Sequence, residues 1–402
     1  MNRCALSVFA SVVMLAGCGG SQPLIGTPSA VPQAPASTGY KSLHSFGKGA
    51  DGQEPKAALI DVNGTFYGTT YGGGSIACAG GCGIVFTITS SGKETVVYRF
   101  GGGNDGANPS ASLLAVKGVL YGTTGHGGGV DFGTVFKINT RGREKVLHSF
   151  GPVPDGLNPV ASLIDVKGTF YGTTFQGGDD SVCGFGCGTV YSIAKNGKEK
   201  VLHSFAAYSD GVSPLANLID VKGILYGTTE AGMGNTASNT SFGTAFSIST
   251  TGTEKVLYDF GSGSYPAAGL INVNGTLYGT TREGGAYGPS LGGGTAFSIT
   301  TSGSLTTLHS FGSSTDGVYP YAPFLNVKGT LYGTTSAGGA YGKGTVFSMS
   351  LTGADEKVLH SFGHGSDGST PLAGLIDVNG TLYGTTSAGG KYGDGTVFAL
   401  TL

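Results

Sequence analysis

The stretch SLIDVKGTFYGTT, residues 162–174, decides how this chain folds. It holds two short runs of β-branched and aromatic residues, Ser162–Val166 and Thr169–Thr174, separated by Lys167-Gly168. A two-residue connection ending in glycine suits a tight hairpin whose backbone needs positive φ. Two further runs of the same character follow, Thr189–Ile193 and Lys200–Phe205, so the unit reads as a four-stranded antiparallel meander. The Tyr-Gly-Thr-Thr string recurs seven times, starting at Tyr67, Tyr121, Tyr171, Tyr226, Tyr278, Tyr332 and Tyr383. Each copy carries the same four runs and the same Asn-Gly or Lys-Gly turn. One such unit cannot bury both of its faces, and stacking copies around an axis solves that.

Counting strands settles how the stack ends. The ordered chain begins with a fourth-type run, residues 41–46, that has no first three before it. It finishes on a third-type run, residues 396–400, that has no fourth after it. Paired together, they complete one unit. The sequence therefore predicts an all-β fold: a seven-bladed β-propeller of four-stranded antiparallel blades, closed by strand 41–46 on strand 396–400. Closure leaves no open edge.

Composition agrees and excludes some functions. Charged residues make up 11% and the net charge is −2, which is no footprint for nucleic acid. Glycine, at 77 residues, falls at recurring positions beside apolar β-formers and so acts as turn punctuation. Residues 1–17 have the form of a signal peptide, with Arg3 followed by an apolar stretch too short to span a bilayer. Their last three residues and the next make up Leu15-Ala16-Gly17-Cys18, which resembles a lipoprotein lipobox and implies lipidation at Cys18. Residues 18–40 then form a tether rich in Pro, Ser and Gly, and 41–402 the propeller. The expected location is extracytoplasmic, on the outer membrane or cell surface, with the membrane reached through the lipid.

The string LYGTT…GG…GTVF followed by KVLHSFG…DG…P is similar to the GloVer tandem repeat of exported, membrane-anchored bacterial proteins. The resemblance spans residues 41–402. It implies an extracytoplasmic location and no particular activity. The Gly-Gly after the second strand also resembles kelch propellers, although the tryptophan those carry is absent.

With the first strand innermost, the Asn/Lys-Gly turns lie on one face. The second-to-third loops and the fourth-to-first crossovers lie on the other. The loops are longer in repeats 1, 3, 4 and 5, and rigid blades carrying variable loops place binding there. Off-repeat polar and aromatic residues gather in that sector: Asp179, Asp180, Tyr208, Glu230, Tyr265, Arg282, Glu283 and Tyr287. The crossover into repeat 5 is also shortened and lacks the Asp-Gly pair found in the others. Tyrosines beside a few charges suit a polar ligand such as a glycan or peptide.

Other constellations read as structural. The Asp-Gly pairs at Asp51, Asp105, Asp155, Asp210, Asp316 and Asp367 supply one carboxylate per crossover. Calcium needs six to eight oxygens, so a turn with glycine at positive φ is the better reading. The first-strand residues Asp61, Asp165, Asp220, Asp377, Asn272 and Asn326 repeat too regularly for an acid pair with divided roles. Five histidines share one fourth-strand position with Tyr98 and Tyr258, which marks packing or hydrogen bonding. Cys78 with Cys82, and Cys183 with Cys187, have the spacing of two local disulfides in an oxidising compartment. No metal, cofactor or catalytic residue is assigned. The chain reads as a monomeric, non-enzymatic binding or scaffold module for a glycan or protein ligand. The alternative is an extracellular carbohydrate-active enzyme, for which Asp179/Asp180 and Glu230/Glu283 are the acid candidates.

Overall fold

A computed structural model describes residues 39–48, 51–179, 183–206, 209–232, 242–261, 264–288, 292–313 and 315–402. The signal-like stretch, Cys18 and the tether up to residue 38 lie outside them, as do Asp180 and Tyr208. Every regular element among the described residues is a strand. The strands form seven antiparallel blades; blade 3, for example, is Ile164–Val166, Thr169–Thr174, Thr189–Ala194 and Glu199–Ser204. Blade 7 runs Ile376–Val378, Thr381–Thr386, Thr396–Thr401 and then Tyr40–Ser45, its fourth strand supplied by the N-terminal end. Tyr40 pairs with Leu400 and Ser45 with Thr396. Tyr40 therefore belongs to the closing strand and not to a tether, because its ring stacks at 3.9 Å on His360 of blade 6. With this pairing, each of the seven blades among the described residues has its four strands.

The seven Asn/Lys-Gly turns have the expected backbone. Lys167 and Gly168 sit at φ 54° and 89°, as a type I′ hairpin requires. The first-strand acids serve these turns: Asp165 Oδ1 accepts the Gly168 N–H at 2.6 Å, and Asn272 does the same for Gly275 at 2.9 Å.

Each letter of Tyr-Gly-Thr-Thr has a separate task. Tyr67 packs on Leu113, Leu120 and Phe136 of the next blade. Gly227 leaves room for the ring of Phe246, whose Cζ would stand 2.7 Å from an added Cβ. The first threonine bonds across the seam: Thr123 Oγ1 donates to Ala161 O at 3.0 Å, and Thr385 to Ala57 O at 3.1 Å where the ring closes. The second ties strands within the blade, as Thr189 N–H donates to Thr174 Oγ1 at 3.1 Å. Seven apolar clusters follow, one per seam, each built from two neighbouring blades.

The Asp-Gly crossovers correct one expectation. Gly106, Gly156, Gly317 and Gly368 do not adopt positive φ; among these pairs Gly211, at 120°, does. Glycine is needed for space instead. A Cβ on Gly106 would lie 2.5 Å from Thr124 Cγ2. The aspartate does hold its own turn, since Asp105 Oδ1 accepts Gly106 N–H and Oδ2 accepts Gly101 N–H, both at 2.8 Å.

Candidate functional site at the rim of blades 4 and 5

The segments entering the first strands of all seven blades surround a small cavity of about 130 Å³ at the loop-side mouth of the axis. Most of its wall is small or apolar, as at Val160, Leu215 and Leu372, while Lys56 and Tyr321 add polar groups. The residue that follows Thr-Thr differs from blade to blade. In blades 4 and 5 that residue is Glu230 and Arg282.

These two side chains meet. Arg282 Nη1 lies 3.2 Å from Glu230 Oε1, and Nη2 lies 3.0 Å from Glu283 Oε1. The guanidinium also sits 5.1 Å from the centroid of Tyr265, a cation–π contact. The shortened crossover places Tyr265 there. At the equivalent position, before the crossover proline, Asn158 and Tyr319 take left-handed φ values of 55° and 61°. Tyr265 does not take that conformation, and its carbonyl accepts the Arg282 backbone N–H at 2.7 Å. Phe242 adds an edge-on ring 6.0 Å away.

Two carboxylates on one guanidinium leave this patch with a net negative charge. Burial, opposed by Arg282 and reinforced by Glu283, holds the Glu230 carboxyl above the usual carboxylate range. Burial also lifts the phenol of Tyr321, with Glu230 adding to the effect and Arg282 opposing it. Glu283 Oε2 is buried and has no hydrogen-bond partner. An unsatisfied carboxylate oxygen therefore lies under the guanidinium, next to the Tyr265 and Phe242 rings.

Four of the eight ligand candidates are thus brought together: Glu230, Tyr265, Arg282 and Glu283. Asp179 is exposed in the loop of blade 3, and Tyr287 is exposed at the tip of the blade 5 loop. Tyr321 was not singled out by sequence, although it stands where other blades have Ala267 or Leu215. A larger open cavity of about 600 Å³ lies between blades 1 and 2, lined by Cys78, Asn108, His126 and Asp131. Its one carboxylate is already used, since Asp131 Oδ1 accepts Gly127 N–H at 2.7 Å. Both expected disulfides are present, Cys78–Cys82 and Cys183–Cys187. Cys82 and Cys187 are fully buried at the loop bases.

The model of the Gloeobacter/Verrucomicrobia repeat matches residues 30–185, 79–290 and 243–402. The chain belongs to this repeat family. A search of curated proteins finds no match. Among solved structures, a puromycin hydrolase is similar over 84% of this chain and 50% of its own, with a TM-score of 0.54 and 11% identity. That is a likeness of fold. The tricorn protease (13% identity, 67% of this chain, 24% of its own) and a gluconolactonase from Xanthomonas campestris (16%, 67% and 78%) reach TM-scores of 0.38. They carry no argument about function.

Proposed function

We propose that this repeat protein is an extracytoplasmic lipoprotein whose propeller binds a polar ligand, a glycan or a peptide, at the rim of blades 4 and 5. The observation that carries the reading is the buried, unpartnered Glu283 Oε2 beside Arg282 and the Tyr265 ring. A carboxylate oxygen accepts from a hydroxyl or amide, while an aromatic face takes the apolar side of the same ligand. A glycan or peptide array probed with residues 39–402 is expected to give binding that Arg282→Ala lowers about 10-fold or more, equivalent to about 1.4 kcal/mol. Silence on the array, or full binding by Arg282→Ala, would sink the reading.

The carbohydrate-active alternative draws on one observation, the raised carboxyl of Glu230. It requires turnover of a bound glycan that Glu230→Gln abolishes while binding survives. Against it, both acids of the pair bind the same arginine, so their environments are not divided into acid and nucleophile.

Anchoring rests on Leu15-Ala16-Gly17-Cys18 and on the two disulfides, which suit an oxidising compartment. Cys18→Ala is expected to move the protein from the membrane fraction to the soluble fraction of its host. Unchanged membrane partitioning would exclude a lipid on Cys18.

A further inference from the structure

Away from the rim, titratable side chains concentrate along the seams between blades. The fourth-strand His or Tyr meets the Asp of Asp-Gly seven residues on. His203 Nε2 lies 2.7 Å from Asp210 Oδ2, His309 2.9 Å from Asp316, His148 3.2 Å from Asp155, and Tyr98 OH donates to Asp105 at 2.9 Å. Across the seam, the next blade adds a glutamate at the head of its fourth strand. Glu199 faces His148 and Asp155, Glu254 faces His203 and Asp210, and Glu356 faces His309 and Asp316. The polar atoms of each trio all lie within 4.8 Å of one another. Glu144 and Glu94 hold the same position in the repeat, where the charges of Asp105 and Asp51 act on them.

In all five glutamates, Oε1 is buried and has no hydrogen-bond partner. Two carboxylates held this close, one with a buried idle oxygen, are costly if both are ionised. A proton on one of them supplies the missing donor. The ring itself supports this pairing. At the seam of blades 4 and 5 the crossover lacks its Asp, and the facing position is Leu305 instead of Glu. At the seam of blades 6 and 7, Asp367 remains and Tyr40 stands where the Glu would be. Its phenol carries a hydrogen of its own. Burial, with Asp367 reinforcing it, holds that phenol well above the usual tyrosine range. An acid therefore faces the seam only where an Asp is present, and its replacement beside an Asp is a group that keeps its proton.

We infer that the glutamate at each of these five seams keeps its proton in the folded ring, so that the packing of the ring depends on protonation. Burial is the main cause lifting Glu94, Glu144, Glu199, Glu254 and Glu356 to about 7. The charge of the facing Asp adds to it in every seam. His148, His203 and His309 oppose it at Glu199, Glu254 and Glu356, Arg99 opposes it at Glu94, and the neighbouring Tyr98 opposes it at Glu144. Tyr191, packed beside Glu199, is itself held proton-bearing by burial, with Glu199 and Asp155 adding to the effect.

These folded values lie above the ordinary 4.5 of the unfolded chain. The stabilisation is fully present below pH 4.5 and is lost as pH rises through about 7. Residues 39–402 are therefore expected to unfold at progressively lower temperature between pH 5 and pH 8. The pH slope of unfolding free energy should correspond to the folded state holding about four extra protons near pH 6, each glutamate contributing just under one and His44, whose charged form burial disfavours, offsetting part of the total. Changing all five glutamates to Gln places a permanent amide donor opposite each Asp and should flatten the profile. If that variant does not fold, Glu199→Gln and Glu254→Gln singly should each remove about one fifth of the slope. Stability that rises from pH 5 to pH 8 would overturn the inference, as would Gln variants with the parental slope. Chelator-reversible stabilisation by Zn²⁺ would also overturn it, by assigning the seams to metal.

Discussion

Deleting residues 39–46 is expected to abolish the folded ring. Strand Tyr40–Ser45 covers the edge of Thr396–Thr401, and without it that edge becomes a template for pairing with other chains. The deletion also removes Phe46, which is fully buried in the seam cluster with Leu59, Phe66 and Phe86. Losing one buried phenylalanine costs about 3–5 kcal/mol before any ladder bond is counted. Domains of ordinary stability have about 5–15 kcal/mol in all. The truncated chain should therefore lose its cooperative thermal transition in circular dichroism and elute as aggregate. A synthetic peptide of residues 39–48 should restore part of the transition. Unfolding at the parental temperature without the peptide would mean that the closing strand contributes nothing.

Phe246→Ala should cost about 3–5 kcal/mol in denaturant unfolding. The ring is fully buried at the seam of blades 3 and 4, edge-on to Phe205 at 5.1 Å. It also lies directly over Gly227. Gly227→Ala alone should cost about 1–3 kcal/mol by overpacking against that ring. In the Phe246→Ala background the added methyl meets a cavity, so its cost should shrink or reverse. A double-mutant cycle should show a coupling of about 1 kcal/mol or more. Simple additivity would mean that this glycine is not there to admit the ring.

How much was legible in the sequence follows from where each rule is written. Blade number, hairpin turns and ring closure were readable because each is stated locally and repeated, as in Lys167-Gly168 followed by Tyr171-Gly172-Thr173-Thr174. The seams were not. Glu199 and Asp155 belong to different blades, and nothing local to either announces the other. The spacing of seven from His148 to Asp155 was visible, but it gained meaning only once the crossover folded back on its own fourth strand. From sequence the glycine of Asp-Gly reads as a need for positive φ, whereas in the fold Thr124 and its equivalents leave no room for a side chain there. At the rim, departure from the repeat found Glu230, Tyr265, Arg282 and Glu283. The same signal marks Asp179 and Tyr287, which are exposed and lie apart from that cluster, because loops drift from a repeat wherever they are.

The rim and the seams both presuppose a ring closed by the two ends of the propeller. Amide hydrogen exchange on residues 39–402 tests this most directly. The backbone amides of Tyr40–Ser45 that bond to Thr396–Thr401 should be protected to the same degree as those of the equivalent outer strand Glu199–Ser204. Exchange of residues 40–45 at the rate of the exposed loops, while Glu199–Ser204 stays protected, would contradict closure and with it the seven-bladed ring.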